Sequence, residues 1–203
     1  MDDRVVIALF RHGVTEENKR KAYLGWNDSQ LLAETRNQSP LKSYESYFSS
    51  DLQRCLSTLN LFFPNQKPII LENFREMNFG DWEGLTYEEL KDNEHYRQWI
   101  SDPVNVFPPK GEAFHEFTNR VQNGWNTMIH TVLTQQLKNC AVITHGGVIR
   151  YLLSKYAPEE KEFWSFQVRH DQGFELIFTK EALKGGRRCT SLLEVPLMAN
   201  DHG

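Results

Sequence analysis

The residues of this chain that could do chemistry are histidines and arginines at the ends of apolar runs. Val5-Val6-Ile7-Ala8-Leu9-Phe10 stops abruptly at Arg11-His12-Gly13, and Cys140-Ala141-Val142-Ile143-Thr144 stops at His145-Gly146-Gly147. Arginine forks bind phosphate bidentately, and an imidazole can accept a phosphoryl group covalently. Two arginines and two histidines around one pocket would make a phosphate site that needs no metal. A histidine at an unremarkable position is more often a hydrogen-bonded structural residue; two of them at strand ends, each before glycine, weigh against that. Other catalytic plans leave no trace: there is no GxxxxGK[ST] loop, GxSxG elbow, GxGxxG or HExxH. No cysteine is followed by an arginine six positions on, so a phosphate-binding cysteine loop is unsupported as well.

To work together these residues need a rigid platform. Consecutive apolar residues rich in β-branched types read as strands buried on both faces, as in a parallel sheet. If the two strands are parallel, both histidines emerge at the carboxyl edge, where open α/β sheets place ligands. Tyr47-Phe48-Ser49-Ser50 reads as a further strand, with Asp51 placed to cap a helix through Arg54, Leu59 and Phe62. A cation in the first turn of a helix opposes its dipole, so Arg54 reads either as held there for something it binds or as an ordinary surface arginine. Pro68–Leu71 reads as another strand. The segment from Phe74 to Gly84 has no clear period but many functional side chains, including Glu76 and Glu83, and loops of that kind line sites. Thr86-Tyr87-Glu88-Glu89 is a capping-box pattern that predicts a helix to about Ile100, and the proline-bearing stretch from Ser101 to Pro109 a connector or lid. Phe114, Phe117, Val121, Trp125, Met128, Ile129 and Val132 form the apolar stripe of a long core helix. Phe174–Phe178 and Ser191–Val195 read as a sheet-edge hairpin joined by Gly185-Gly186.

At 203 residues the chain has room for one substantial core, and the expectation is a single domain over 1–203. Its 39% hydrophobic and 25% charged residues are those of a soluble globular protein, with no stretch apolar enough to span a bilayer. Met1-Asp2-Asp3 lacks the basic start of a signal peptide, which leads to a cytoplasmic reading. Three cysteines without CxxC spacing support neither a disulfide framework nor a structural zinc site. A net charge of −4 argues against a general nucleic-acid binder.

Leu9-Phe10-Arg11-His12-Gly13-Val14-Thr15-Glu16-Glu17-Asn18 resembles the signature of the histidine phosphatase superfamily, which includes cofactor-dependent phosphoglycerate mutases, broad-specificity phosphatases and α-ribazole phosphatases. Four further segments agree in order: Ser49–Cys55, Arg75–Gly84, Lys110-Gly111-Glu112 and Thr144–Arg150. The resemblance implies an α/β fold of three layers, a mostly parallel central sheet flanked by helices, with a small helical cap at about 84–111. It also implies His12 as nucleophile, Arg11, Arg54 and His145 as phosphate ligands, and Glu76 as the acid that protonates the departing alcohol and then activates water. Asn18, Thr15 and the Gly146 N–H would add neutral substrate contacts. Glu83 competes with Glu76 for the acid role, and a loop-stabilising carboxylate is the preferred reading of it. No cofactor and no metal are implied, and the expected partner is a small phosphomonoester, without nucleic acid or membrane.

Within that family the cap carries Lys91, Arg97 and Lys110 against Glu88, Glu89, Asp92, Glu94 and Asp102. An acidic cap retains a second phosphate poorly, so a phosphatase is expected, with mutase-type transfer or a non-catalytic phospho-ligand module as alternatives. The aromatics Trp26, Tyr87, Tyr96, Trp99 and Phe107 are candidate contacts for an organic leaving group. Three departures from the family pattern stand out, one of them Ala113 after Glu112 where serine is common, a change that bears on substrate contacts. Thr35-Arg36 replaces a usual glycine, predicting a shorter or shifted helix. His170-Asp171-Gln172-Gly173 replaces an asparagine or serine-rich turn, and is left outside the site.

Overall fold

In the computed structural model, which describes residues 3–40 and 42–199, the chain runs as follows. Met1 and Asp2, on which the reading of the chain's start rests, lie outside those residues. The elements are β1 (Arg4–Arg11), α1 (Glu16–Arg20), β2 (Gln38–Ser39), β3 (Ser46–Ser49), α2 (Gln53–Phe62), β4 (Ile69–Ile70), α3 (Tyr87–Leu90), α4 (Glu94–Ser101), α5 (Phe114–Thr134), β5 (Asn139–Thr144), α6 (Gly146–Tyr156), β6 (Gln172–Thr179), α7 (Lys180–Lys184), β7 (Ser191–Pro196) and β8 (Met198–Ala199). Six strands form one sheet in the order β4-β3-β5-β1-β6-β7. The first four are parallel, and β6 runs antiparallel to both β1 and β7.

β1 is apolar on both faces because both faces are covered. Val5, Ile7 and Leu9 pack with Val121, Met128 and Val132 of α5 and with Ile149, Leu152 and Leu153 of α6. Ala8 and Phe10 point the other way, onto Cys55, Leu59 and Phe62 of α2. Helices on both sides of a mostly parallel sheet make the expected three layers. In the β1–β5 ladder Arg11 stands opposite Thr144, so His12 and His145 leave neighbouring strands at one edge.

Two local expectations are corrected. The helix from Thr86 does not run unbroken to Ile100. α3 closes at Leu90, and α4 restarts with the Asn93 side chain accepting from the Tyr96 N–H at 3.0 Å. Asp92-Asn93 is a poor helix interior because such side chains bind nearby backbone in competition with the helix. β6 and β7 are antiparallel neighbours, but α7 intervenes and only β7 is at the edge, since β6 also pairs with β1. The shortened helix expected around Thr35-Arg36 is a 3-10 turn at Ala33–Asn37, where the buried Thr35 packs under Gly13. In the cap region Leu90, Tyr96 and Trp99 pack on Trp82, with Tyr23 and Phe79 against them. Its apolar centre therefore draws on residues outside 84–111.

Candidate active site

At the carboxyl edge of the sheet, His12 and His145 face each other edge-on with ring centroids 5.2 Å apart. Both are buried. His12 Nδ1 lies 2.8 Å from the Gly13 carbonyl, an acceptor only, so Nδ1 carries the proton and Nε2 keeps its lone pair. Burial, then the Arg54 and Arg11 guanidiniums and His170, hold the imidazole well below its ordinary 6.5, against the opposing pull of the Gly13 carbonyl. The nucleophile candidate is neutral, and its Nε2 has no hydrogen-bond partner among the described residues. His145 is held low by burial first and then by Arg54, His12 and Arg11; its Nε2 is 3.0 Å from Ser50 Oγ and 3.4 Å from Cys55 Sγ.

Two guanidiniums supply the positive charge. Arg54 is only 1% exposed, and donates to Gly25 O at 2.6 Å and to Asn27 O at 2.7 Å. Asp28, beside it, also accepts from the Gln53 and Arg54 backbone N–H groups at the start of α2. The expected cap, Asp51, instead pairs with Arg75. It sits one residue before the Leu52 N-cap position, whereas Asp28 reaches the helix end and the guanidinium together. Arg11 donates to Val168 O at 2.9 Å, and burial lowers it to about 10, opposed by Glu76, so it stays charged at neutral pH. The Nε of Arg11 and the Nε of Arg54 are buried without a hydrogen-bond partner among the described residues. Unpaired donors of this kind beside two neutral imidazoles are what an anion would satisfy. Gly146 opens α6, with the Arg11 guanidinium carbon 3.3 Å from where its Cβ would be, so the cation packs directly against a helix N-terminus.

Glu76 is fixed at both ends. Its carboxylate accepts from the Gly147 N–H at 2.9 Å and the Met77 N–H at 3.0 Å. Its carbonyl accepts from Trp26 Nε1 at 3.0 Å and from Arg120 at 3.1 Å. The guanidiniums of Arg75 and Arg120 lie over the Trp26 ring at 5.0 and 5.7 Å, and Arg120 is paired with Glu112 at 2.8 Å. Glu83 accepts from the Trp26, Asn27 and Phe79 N–H groups, so it ties loops together as expected of a structural carboxylate. Thr15 and Asn18 form the reciprocal cap of α1. That occupies the acceptor oxygen of each and leaves the Asn18 amide NH2 as a donor.

Beside Glu76 and Gly147 opens a cleft of about 470 Å³ lined by Tyr23, Phe79, Trp99, Phe114, Phe163 and Trp164, with Arg150 on its wall. Of the five aromatics singled out in the sequence only Trp99 lines it. Tyr96 is fully buried, its hydroxyl 2.7 Å from that of Tyr23; Tyr87 and Phe107 are exposed elsewhere, and Trp26 sits under the arginines. The stretch left outside the site is corrected too: His170 donates from Nδ1 to the His12 carbonyl at 2.7 Å, its ring 5.5 Å from that of His12. The available signal was its place just before a strand that pairs antiparallel with β1.

A two-histidine, two-arginine pocket at the edge of such a sheet defines a phosphate-handling class of protein. The sequence model of the histidine phosphatase superfamily (branch 1) matches residues 7–181, and the chain belongs to that superfamily. It is 31% identical over 177 residues to the adenosylcobalamin/α-ribazole phosphatase of Escherichia coli (strain K12), covering 81% of this chain and 85% of the relative. It is 28% identical over 172 residues to the 2,3-bisphosphoglycerate-dependent phosphoglycerate mutase of Cytophaga hutchinsonii, covering 76% and 80%. The crystal structure of the α-ribazole phosphatase from Shigella flexneri superposes with a TM-score of 0.76 at 22% identity, over 97% of this chain and 96% of that one, so the fold is shared. No helix among the described residues is long and apolar enough to cross a membrane.

Proposed function

We propose that this chain is a phosphatase that hydrolyses small phosphomonoesters through a phosphohistidine on His12, without a metal in the chemistry. The observation that carries the proposal is the His12 ring, held neutral by burial and by the Arg54 and Arg11 guanidiniums, with Nδ1–H committed to Gly13, Nε2 without a partner among the described residues, and a second histidine ring 5.2 Å away. In the first half-reaction Nε2 attacks phosphorus, the P–O ester bond breaks, and Glu76 gives its proton to the departing alkoxide. In the second, Glu76 takes a proton from water as the oxygen attacks phosphorus, the N–P bond breaks, and inorganic phosphate leaves. Arg11, Arg54 and His145 hold the equatorial oxygens, where charge stabilisation does most of the work of phosphoryl transfer. The Gly146 N–H and the Asn18 amide would add neutral donors.

The cleft beyond Glu76 favours hydrolysis over mutase-type transfer. A bisphosphorylated intermediate would turn its second phosphate toward walls made largely of aromatic carbon, with one arginine to meet it. An alcohol with an apolar, ring-bearing body fits those walls better. The test is hydrolysis of p-nitrophenyl phosphate in EDTA by the native protein and by His12→Ala, with acid quenching to trap phosphoenzyme. Activity that survives EDTA, vanishes with His12→Ala and passes through an acid-labile phosphoenzyme is expected. Activity that persists without His12 refutes the mechanism; inertness toward a panel of monoesters favours transfer or binding alone.

A further inference from the structure

Resting on His12 as the phosphoryl acceptor, we propose that His170 is a positioning residue, which holds the His12–Gly13 peptide from one side while Thr58 holds it from the other. The last sheet bond of β1 beyond Arg11 is the His12 N–H to the Thr144 carbonyl at 2.9 Å. The next peptide has left the ladder, and its buried polar groups need other partners. Both are supplied by side chains. The Gly13 N–H donates to Thr58 Oγ1 at 2.8 Å, and the His12 C=O accepts from His170 Nδ1 at 2.7 Å.

Topology explains how His170 gets there. β6 pairs with β1 as far as Gly173 opposite Phe10. The chain just before β6 therefore lies alongside the end of β1, and the His170 ring continues where the ladder stops. Thr58 in turn donates to the Arg54 carbonyl at 2.7 Å, so one peptide ties the end of β1 to the helix that carries Arg54 and to the loop before β6. The consequence falls on the ring that attacks. His12 Nδ1–H is received by the Gly13 carbonyl, the next acceptor along the same backbone, so turning the pinned peptide moves that carbonyl and with it the direction of Nε2. His170 and His145 also flank the His12 ring edge-on at 5.5 and 5.2 Å, which restricts its swing. His170 acts through His12 rather than on the phosphate.

The experiment uses the full chain with three replacements. In His170→Asn the amide N–H occupies the place of Nδ1, in His170→Gln it reaches the place of Nε2, and His170→Ala removes both. Phosphoenzyme formation from p-nitrophenyl phosphate is followed in single turnovers, with KM measured separately. His170→Ala and His170→Gln should slow phosphorylation about 10- to 100-fold, the scale of a ~1 Å misplacement, with KM within about threefold and His170→Asn close to the native rate. Histidine ring-nitrogen NMR supplies a readout independent of turnover: the His12 Nδ1–H signal should persist in the native protein and in His170→Asn, and exchange faster in His170→Ala.

Native rates with an unchanged His12 signal in His170→Ala would overturn the proposal. So would rescue by glutamine in place of asparagine, or a loss carried by KM, either of which would put His170 on the phosphate itself. If His170→Ala does not fold, the asparagine and glutamine pair decides. A native protein without His12-dependent activity would sink the phosphohistidine mechanism instead, while the NMR comparison would still report on the pinning.

Discussion

Gly147→Ala tests the placement of the acid with a single methyl group. A Cβ at position 147 would stand 2.2 Å from Glu76 Oε1 and 3.1 Å from its Cδ, with the Phe117 ring at 3.3 Å. Ordinary contact begins at 3.4 Å, so the carboxylate oxygen must withdraw by about 1.2 Å, and the 2.9 Å bond from the Gly147 N–H stretches or breaks. The obstacle is the tip of a flexible side chain, and alanine is the better helix former by about 0.5–1 kcal/mol, so stability should change little. Catalysis should not escape. General acid–base help is worth roughly 10²–10⁴, and a ~1 Å misplacement costs about 10²-fold. The loss must depend on the leaving group. Phosphorylation by an alkyl ester such as phenylethyl phosphate, whose alkoxide needs a proton, should slow about 100-fold, whereas p-nitrophenyl phosphate, whose phenolate leaves unaided, should slow by less than about tenfold. Hydrolysis of the phosphoenzyme also uses Glu76, so p-nitrophenyl phosphate should show a burst followed by a slow steady state. Single-turnover quench experiments with both esters measure this directly. Equal losses for the two esters, or no loss for either, would refute the assignment of Glu76 as acid.

Three further outcomes are expected. His12, His145 and His170 are all pushed down by burial, so the unfolded chain binds more protons and stability is lost as pH falls below about 6.5. For His170, held at about 4, the gap is worth roughly 3 kcal/mol; the urea midpoint should fall between pH ~6.5 and ~4.5, and a level profile would contradict the buried neutral state. Arg54→Ala strips donors from the buried Gly25 carbonyl and from the Asn27 carbonyl, while Asp28 keeps the two backbone N–H groups at the start of α2, with an expected loss of about 3 kcal/mol in urea unfolding, besides activity. Trp164→Ala opens the apolar cleft without touching the phosphate cradle. It should cut the kcat/KM preference for naphthyl over glycerol phosphate about tenfold, with glycerol phosphate turnover kept.

The platform and the gathering of most candidate site residues were legible in the chain because their signals are local. The apolar runs of β1 and β5 are strands whichever partners they find, and Arg11-His12 and His145-Gly146-Gly147 follow them directly, so strand direction alone carries these residues to one edge. The stripe from Phe117 to Val132 marked α5 as core for the same reason. Glu76 was legible only through its loop motif, as the loop around it has no period.

What tertiary structure decided are choices between equally plausible partners far apart in sequence. Asp51 and Asp28 are both acids able to cap α2, and the outcome depended on which loop reaches Arg54. Five aromatics in and around the cap looked equivalent, yet packing on Trp82 turned Tyr96 inward and left Trp99 on the cleft, while Phe114, Phe163 and Trp164 arrived from segments on either side of β5. His170 carries no motif, and only the antiparallel register of β6 on β1 sets it against His12. Periodicity and motifs act over a few residues and so can be read along the chain. Register and loop closure bring residues 158 positions apart to one peptide, and no local pattern encodes which of the available donors will arrive.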